Sequence, residues 1–405
     1  MNVCFETFGC RLNRAETLED EARCLARGHR VVTSHDQADV IIVRGCSVTG
    51  RAQHDCEKAV ERLREHHPGT RVILTGCMPN ARRFDISAFS RRRGDVDAPP
   101  PETPVPTSTA RAYLKVQDGC SCGCTFCIVP RFRGEPRSTP FQDVLDRAKR
   151  FIDAGYREIV VTGCNLVLYS SEGRRLADLA AAVAALSPEC RVRLGSVEPG
   201  EQAREVVRAM AETPNICRSL HLSVQSGSDR ILSAMRRRHS ARDVDAIAAE
   251  AVQSMPLVAL GCDVIAGFPG EGELDFQLTR SLLLRHPFSN VHAFPYSERP
   301  GTLAAELRGE VKRETRKARA HALADIGDET RRRFAKRFVG RTVDVVVESN
   351  GAPEGWTSEY LWLKERREKG GVMLGARSMR RQAKSFVVRS AHGGVLYGEL
   401  AEDGR

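Results

Sequence analysis

The sequence AYLKVQDGCSCGCTFC occupies residues 112–127 and decides the fold. Its first five residues are mostly apolar and predict a buried strand, and a loop rich in glycine and cysteine follows at once. Cys120, Cys124 and Cys127 stand in this loop with C-x3-C-x2-C spacing. A cysteine loop at the carboxyl end of a strand is expected at the catalytic face of a parallel β/α barrel.

The spacing of these three cysteines favours an iron–sulfur cluster over a zinc site. Structural zinc takes four ligands, usually as two separated pairs. Three thiolates in one tight loop suit a cubane cluster whose fourth iron is left open, and such an iron can bind S-adenosylmethionine through its amine and carboxylate. A redox or zinc pair made by Cys124 and Cys127 alone is the alternative. Cys122 could compete as a ligand, and we treat it as a bystander.

The region after this loop alternates strand candidates with helix-compatible stretches. Six consecutive β-α units predict a partial (β/α)6 barrel, shorter than the eight-fold form. Strands are expected at residues 112–116, 158–162, 191–197, 219–224, 260–266 and 290–296, and helices at 142–154, 176–186, 203–212, 241–255 and 273–286.

The first 77 residues predict a separate parallel α/β domain. Strand-like segments at 2–8, 38–43 and 71–75 alternate with helix-period segments at 13–27 and 51–66. A glycine and then a cysteine follow each strand, at Cys10, Cys46 and Cys77. The carboxyl ends of parallel strands share one edge, so these thiolates can converge, and glycine permits the turn that aims each of them inward.

The other cysteines lack this context, and buried free cysteine commonly acts as a small hydrophobe. We expect core or surface positions for Cys4, Cys24, Cys56, Cys164, Cys190, Cys217 and Cys262.

Five prolines between residues 99 and 106 predict an extended linker before the barrel.

The C-terminal part of the chain differs in composition from the rest. Residues 308–338 are polar, arginine-rich and helix-permissive, and the alternating valines and glycines beyond residue 340 predict a small β-barrel. All fourteen cysteines lie at or before Cys262, so this last module contains none.

Positive charge is concentrated in two segments. The chain has 62 lysines and arginines against 52 acidic residues, a net charge of +10. Residues 308–341 carry +7 and residues 369–398 carry +6, so the remainder is slightly acidic. A solvated helix face is the simple explanation of one basic run. A basic segment that is followed by a β module with a second basic segment favours instead a surface that binds the phosphate backbone of a nucleic acid.

Three aromatic residues stand at alternate or near-alternate positions in the C-terminal module. The spacing of Trp356, Tyr360 and Trp362 predicts one strand face suited to stacking bases, with packing inside the barrel as the alternative for at least one ring.

Nothing in the sequence predicts a membrane segment or a signal peptide. No apolar run approaches the roughly 18 residues that a span needs, and the first residues carry no basic region. We therefore expect a cytoplasmic protein, where clustered cysteines are metal ligands or catalytic thiols rather than disulfides.

These motifs together resemble those of the radical S-adenosylmethionine methylthiotransferases, and the resemblance covers essentially the whole chain. The resemblance implies a methylthiotransferase domain at 1–90, a proline-rich linker at 91–110, a radical-SAM core at 111–334 and a TRAM RNA-binding domain at 335–400. The matching stretches are FGCRLN (8–13) with Glu16-Thr17, GCSCGCTFCIVP (119–130), SVEP (196–199), HLSVQSGS (221–228), DVIAGFPGE (263–271), FPYS (294–297) and RPGT (299–302).

The resemblance also implies cofactors. A 4Fe-4S cluster on Cys120, Cys124 and Cys127 would reduce S-adenosylmethionine to a 5′-deoxyadenosyl radical. A second 4Fe-4S cluster, on the other cysteine triad, would present sulfur methylated by a second S-adenosylmethionine. The candidates for the S-adenosylmethionine pocket are Phe126, Glu198, Gln225 and Asp263, for which packing or indirect hydrogen bonding is the alternative; His221 is expected to be structural.

Within the family, C-x-x-N-x-x-E-T at 10–17 and the RPGT ending look most like the branch that modifies threonylcarbamoyladenosine in tRNA. The implied reaction adds a methylthio group at carbon 2 of that base at position 37. The implied partners are the tRNA anticodon stem-loop and an electron donor such as flavodoxin or ferredoxin. Two departures stand out: Arg44-Gly45 replaces the usual Asn-Thr before the second cysteine, and Cys164 to Val167 replaces a more glycine-rich loop.

Three alternatives stay open at this point. The branches acting on isopentenyladenosine in tRNA and on a ribosomal-protein aspartate share the architecture. A non-catalytic iron–sulfur protein that binds RNA or carries sulfur is a different class, which would not need an S-adenosylmethionine site.

Overall fold

A computed structural model describes residues 1–79, 105, 108–349, 353–366 and 380–401 of the chain. Most of the predicted linker at 91–110, and the first part of the second basic segment (369–379), lie outside these residues. None of the helices in the described ranges is long and apolar enough to cross a membrane.

The N-terminal region forms a four-stranded parallel sheet. Its strands are β1 (Asn2–Thr7), β2 (Arg30–Val32), β3 (Val40–Cys46) and β4 (Arg71–Cys77), in the order β2-β1-β3-β4. The three predicted strands are confirmed. Strand β2 was not predicted, because three residues are too few to show periodicity.

Two helices cover this sheet, one on each face. Helix α1 (Arg11–Ala26) packs Cys24 against Val3 and Val40, and α2 (Gly50–His66) packs Cys56 and other apolar residues on the opposite face. Because both faces and both edges of β3 are covered, all of its residues are buried, as expected for an interior parallel strand.

Six further parallel strands form the partial barrel that the sequence predicts. They are arranged as two three-stranded sheets, β5-β8-β9 and β10-β11-β12, which meet at the isolated bridges Val192–Ile216 and Val197–Leu222. A short antiparallel pair, β6 with β7, follows β5. The strands are β5 (Ala112–Lys115), β6 (Gln117–Asp118), β7 (Arg137–Ser138), β8 (Glu158–Thr162), β9 (Arg191–Leu194), β10 (Ser219–Gln225), β11 (Ala259–Ala266) and β12 (Phe288–Pro295).

Helices surround the six strands and bury the apolar core. The five predicted helices are confirmed within two residues at each end. The helices of this region are α3 (Val129–Arg133), α4 (Phe141–Asp153), α5 (Leu176–Ala185), α6 (Glu201–Glu212), α7 (Asp229–Ala234), α8 (Ala241–Ser254), α9 (Glu273–Arg285) and α10 (Arg313–Lys336).

The two edge strands of the partial barrel are covered by other parts of the chain. Helix α1 of the N-terminal domain lies against β5, and α10 lies along β12. An uncovered edge would present unpaired backbone groups. The N-terminal domain is therefore held beside the barrel strand that leads into the cysteine loop.

The predicted small β-barrel at the C-terminus is confirmed, and its described residues form a closed barrel of five strands. Its strand order is β13-β14-β15-β17-β16. The strands are β13 (Thr342–Val347), β14 (Gly355–Thr357), β15 (Trp362–Glu365), β16 (Ala383–His392) and β17 (Val395–Leu400).

This small barrel docks at the amino ends of the large barrel's strands. Glu158, at the start of β8, is fully buried and pairs with Arg193 at 2.7 Å and Arg191 at 2.6 Å. The same arginines donate to backbone carbonyls of the small barrel, from Arg191 to Trp356 O (2.6 Å) and from Arg193 to Thr357 O (2.8 Å). The C-terminal module is therefore anchored on the face opposite the cysteine loop.

The prediction that Trp356, Tyr360 and Trp362 share one strand is wrong. A turn separates β14 from β15, and Tyr360 adopts φ +58° within it, so the two tryptophans pair across neighbouring strands. Tyr360 stacks on Trp356 with ring centroids 4.4 Å apart, and the Arg11 and Arg193 guanidiniums lie over the Tyr360 ring. These rings pack against the body of the protein.

Candidate active site

The cysteine loop of the large barrel begins where β6 ends. Gly119 has φ +73°, and a side chain there would overlap the carbonyl oxygen of Glu135, so the turn requires glycine. The backbone N–H of Cys120 donates to Gly134 O at 3.0 Å, and that of Cys127 donates to Cys124 O at 3.1 Å. The three thiols are half-buried and lie on one short loop that ends at α3.

Polar side chains from the neighbouring strand ends reach this loop. Arg237 donates to Cys124 Sγ at 3.2 Å and lies 3.1 Å from Glu198 Oε1. Asn165, just after β8, donates to Glu198 Oε2 at 2.7 Å and to Cys122 Sγ at 3.2 Å. The predicted residue Glu198 is therefore held between two groups that also contact the cysteine loop.

The thiols of the loop differ in acidity. A hydrogen bond from the Cys122 thiol lowers the pKa of the Cys120 thiol below its usual range. Burial raises the pKa of Cys127 to about 11. Cys122, expected to be a bystander, thus lies in direct contact with one of the predicted ligands.

The second cysteine triad lies at the carboxyl edge of the N-terminal sheet. Cys46 and Cys77 end neighbouring strands and are paired in register, whereas Cys10 is exposed at the N-terminus of α1. The structure brings the three together, since the Cβ of a residue at position 9 would lie 3.0 Å from Cys46 Sγ. Burial raises the pKa of the Cys77 thiol to about 11, and the nearby Cys10 and Cys46 thiols add to the rise.

The three glycines before these cysteines have two different roles. Gly9 and Gly76 have φ +93° and +91°, so they make the turns that the sequence predicts. Gly45 does not. It lies inside β3, and a Cβ there would come within 2.7 Å of Cys56 Sγ, so its role is close packing.

Arg133 joins the two cysteine sites. It lies at the end of α3, and its Nε donates to Cys77 Sγ at 2.9 Å. Its terminal nitrogens donate to Glu16 at 2.8 and 3.1 Å, to Asn13 at 3.1 Å and to Asp118 at 3.0 Å. Its side chain is 7% exposed. One buried guanidinium therefore connects the N-terminal domain to the residues that enter the barrel loop.

Arg44, which differs from the residue usual at this position in the similar family, has two acidic partners inside the protein. It is buried and forms ion pairs with Glu16 (2.9 Å) and Asp20. Lys115 of β5 also contacts Glu16, at 3.1 Å. Arg44 therefore extends the charged network that holds the N-terminal domain on the barrel.

The other predicted pocket residues lie at or near the carboxyl ends of the barrel strands, but in different surroundings. Gln225 ends β10 with φ +67°, a strained conformation typical of functional sites. Phe126 packs against the apolar cluster around Phe268 and Tyr296. Asp263 lies inside the barrel between His221 and His292, with nitrogen–oxygen distances of 3.1 and 3.2 Å.

Sequence reasoning missed the polar residues that contact the cysteines. Asn165 follows a strand end, a position that could have signalled it. Arg133 lies close behind Cys127 but carries no motif of its own, and Arg237 sits in an arginine run that resembles a solvated face. Their roles depend on contacts between distant parts of the chain.

Both cysteine sites suit iron–sulfur clusters by their donors. Each offers three cysteine sulfurs and an arginine that donates a hydrogen bond to one of them, namely Arg237 at Cys124 and Arg133 at Cys77. Hydrogen bonds to ligand sulfur and nearby positive charge stabilise an anionic cluster.

Two family models match the chain. The Radical SAM superfamily model matches residues 114–283, which contain the barrel cysteine loop. The model described as Uncharacterized protein family UPF0004 matches residues 2–96, which contain Cys10, Cys46 and Cys77.

Curated relatives match most of the chain and most of their own length. The threonylcarbamoyladenosine tRNA methylthiotransferase MtaB of Aquifex aeolicus is 29% identical over 90% of this chain and 96% of its own. The protein of the same name from Thermotoga maritima is 31% identical over 89% and 90%. The tRNA-2-methylthio-N(6)-dimethylallyladenosine synthase of Chlorobium limicola is 32% identical over 85% and 86%.

A solved structure shares the fold. The radical S-adenosylmethionine methyltransferase TsrM from Kitasatospora setae superposes with a TM-score of 0.51 over 75% of each chain. Because the two are 11% identical, this likeness concerns architecture alone.

Proposed function

The chain belongs to the radical S-adenosylmethionine methylthiotransferase family, and on this premise we propose that it adds a methylthio group to carbon 2 of N6-threonylcarbamoyladenosine at position 37 of tRNA. The observation that carries the proposal is the pair of cysteine triads, one per domain, linked by Arg133. A sulfur-inserting radical enzyme needs both a radical source and a sulfur donor.

In this proposal Cys120, Cys124 and Cys127 hold the 4Fe-4S cluster that binds S-adenosylmethionine. Cys10, Cys46 and Cys77 hold the auxiliary 4Fe-4S cluster. When bound, these groups supply the radical and the sulfur. The protein orients its cysteines through the glycine turns and places Arg237 and Arg133 as positive charges beside the sulfurs.

We assign the S-adenosylmethionine pocket to Glu198, Gln225, Phe126 and Asp263, with support that differs among them. Glu198 has the strongest support, because Arg237 and Asn165 tie it to the cysteine loop. The strained backbone of Gln225 supports a functional role. Phe126 and Asp263 have partners in the apolar cluster and in the histidine pair, so they would act from the wall of the pocket.

The choice of substrate rests on the sequence and on the relatives. Relatives named for threonylcarbamoyladenosine and for dimethylallyladenosine both match the chain at similar identity. The C-x-x-N-x-x-E-T and RPGT stretches favour the former. Modification of dimethylallyladenosine is the second candidate, favoured by the 32% identity of the Chlorobium relative.

The proposed setting is cytoplasmic tRNA modification. All fourteen cysteines are free thiols, which fits a reducing compartment. We further propose that residues 335–400 form the TRAM domain that holds the anticodon stem-loop, that 1–90 and 111–334 form the other two domains, and that flavodoxin or ferredoxin supplies electrons.

The proposal is tested by anaerobic reconstitution of the full chain with iron, sulfide, S-adenosylmethionine and a reductant. We expect about eight iron atoms per chain and formation of 5′-deoxyadenosine. Anticodon stem-loops carrying threonylcarbamoyladenosine or isopentenyladenosine are then compared by mass spectrometry, with the first gaining the methylthio group.

The Cys124→Ala variant is the control, and it should lose 5′-deoxyadenosine formation while keeping the auxiliary cluster. Modification of the isopentenyladenosine stem-loop alone would reassign the substrate. Absence of 5′-deoxyadenosine from the fully loaded wild-type protein would favour the non-catalytic carrier.

A further inference from the structure

A cavity of about 510 Å³ lies at the junction of the two cluster-bearing domains. It is bounded by the first turns of α2, by α3, and by Arg299 and Pro300, and we call it the α2–α3 cavity. Helix α3 begins two residues after Cys127, and Pro79, two residues after Cys77, also lines the cavity. The cavity therefore adjoins the predicted ligand loops of both clusters.

Two arginines line this cavity and have no carboxylate partner among the residues that the structure describes. Within the described ranges, neither Arg131 nor Arg299 forms an ion pair. Arg131 is exposed and donates to the backbone carbonyls of Pro300 and Gly301. Because carbonyl oxygens carry no net charge, these hydrogen bonds do not neutralise the Arg131 guanidinium.

Arg299 also has a buried donor without an acceptor. Its side chain contacts Gln53 Oε1, but its buried Nε has no hydrogen-bond partner among the described residues, and the residue is only 7% exposed. An unsatisfied buried donor on a charged group is costly. An anionic ligand in the cavity would offset that cost.

The first turn of α2 adds to the positive potential. This helix has 17 residues, and a Cβ at Gly50, its first residue, would lie 3.4 Å from the Arg299 guanidinium. A cation beside the positive end of a helix is unfavourable unless an anion lies nearby. Among the described residues that line the cavity, Glu57 is the one with an acidic side chain, and it accepts a hydrogen bond from Gln53 at 2.8 Å.

We propose that the α2–α3 cavity binds an oxyanion of the RNA substrate, namely a backbone phosphate close to the modified base. The inference rests on the proposed function, because it takes RNA as the ligand. Guanidinium groups suit phosphate through paired N–H donors. The backbone N–H groups of Gly50 and Ala52 already donate to Ser297 and Thr49, so α2 contributes its dipole rather than free donors. The carboxylate of the threonylcarbamoyl group is the other source of an oxyanion, and the experiment separates the two.

The test measures binding of fluorescent anticodon stem-loops to the reconstituted full chain, without S-adenosylmethionine, between about 50 and 200 mM salt. We expect Arg131→Gln to weaken binding about 3- to 10-fold and to reduce the slope of log K against log salt by about 0.7 to 0.9, the loss of one phosphate contact. Arg131→Lys keeps the charge and should keep most of the slope.

The matched control is Arg280→Gln, which removes the same charge from the exposed face of α9. Iron content and circular dichroism check that each variant is folded and loaded. Equal slopes for wild type and Arg131→Gln would overturn the inference, as would an equal loss in Arg280→Gln.

Two stem-loops, with adenosine or threonylcarbamoyladenosine at position 37, identify the source of the oxyanion. Equal weakening of both by Arg131→Gln assigns the phosphate, and weakening of only the modified one assigns the carboxylate in its place. If only the inference is wrong, the wild-type protein still binds RNA and transfers the methylthio group. If the proposed function is wrong, the wild-type protein shows no RNA binding or no modification.

Discussion

At the scale of single residues, Arg133 has the most extensive set of contacts in the site. It donates to Cys77, Asn13, Glu16 and Asp118 from a nearly buried position. Burial opposes ionisation of Glu16, but Arg133 and two other cations keep the pKa of Glu16 below its usual range. The guanidinium therefore stabilises the interface between the domains as well as the auxiliary site.

Replacing this residue should destabilise the fold. We expect Arg133→Gln to lower the free energy of unfolding by about 3 kcal/mol, because removing one member of a buried ion-pair network leaves Glu16 and Asp118 with fewer countercharges. Anaerobic denaturant titration measures the change. The exposed Arg137→Gln on β7 is the matched control, and an equal, small effect of both variants would contradict the role of Arg133.

Gly76 gives a second prediction, which concerns the auxiliary site alone. Its φ is +91°, and an added Cβ would lie 2.6 Å from the carbonyl oxygen of Gly45. Gly76→Ala should therefore displace Cys77 and lower the iron content from about eight to about four atoms per chain.

Gly69→Ala, where a Cβ meets nothing within 4 Å, should leave the iron content unchanged. Retention of all the iron in Gly76→Ala would show that the turn is not needed to hold the cluster.

At the scale of helices and strands, the sequence predicted most of the core from periodicity. Strand β8 has the predicted bounds, and the five predicted helices between the barrel strands differ from prediction by at most two residues, whereas the short helices α3 and α7 were not predicted. The turn at Tyr360 could not be predicted, because a non-glycine residue at positive φ has no local signal. Likewise, Arg191 and Arg193 stand at alternate positions, which predicts that both lie on one face of a strand. This pattern does not show that both side chains bind the C-terminal barrel.

The anchor of the C-terminal barrel predicts a pH dependence. Burial opposes ionisation of Glu158, but Arg193, Arg191 and Arg111 lower its pKa far below the usual range. In the unfolded chain its pKa is about 4.3, so its ionised form stabilises the fold above that pH, and this contribution is lost as the pH falls further toward the folded pKa.

The Glu158→Gln variant should therefore be less stable at neutral pH by about 3 kcal/mol and should lose less stability than wild type between about pH 4.3 and 2. Urea titrations at several pH values measure both effects. The exposed Glu212→Gln on α6 is the control, and parallel pH profiles for wild type and Glu158→Gln would contradict the assignment.

At the scale of the whole molecule, some of the basic residues form internal contacts and others are exposed to solvent. In α10, Arg316 and Arg319 form internal ion pairs, with Glu310 at 3.0 Å and Glu271 at 2.8 Å. Arg331 contacts backbone carbonyls of the C-terminal barrel. Composition alone could not separate these structural cations from exposed ones, because the distinction depends on the helix face each occupies.

Exposed cations of α10 are expected to contact RNA. Lys336→Gln should reduce the salt slope of tRNA binding by about 0.7 to 0.9, and Arg319→Gln should instead lower stability. Fluorescence anisotropy at several salt concentrations measures the slope. Lys149→Gln on α4, which pairs with Asp153, is the control. Substitution is preferable to deletion of residues 340–405, because deletion would uncover the buried Glu158 network.

In the candidate site, too, residues marked by a local sequence pattern could be predicted, whereas residues defined by contacts between distant parts of the chain could not. Both cysteine triads were located by strand position and spacing, since the carboxyl ends of parallel strands share an edge. Arg133, Arg237 and Asn165 were not located, because each acts on a cysteine more than forty residues away in sequence. Contacts of that kind are fixed by how the two domains pack.

Nucleoside mass spectrometry of total tRNA from a strain lacking the gene tests the proposed reaction most directly. We predict loss of 2-methylthio-N6-threonylcarbamoyladenosine and accumulation of N6-threonylcarbamoyladenosine, with recovery on re-expression of the wild-type gene but not of Cys124→Ala. Persistence of the methylthio nucleoside in the deletion strain, or loss of the isopentenyl counterpart in its place, would contradict the assignment.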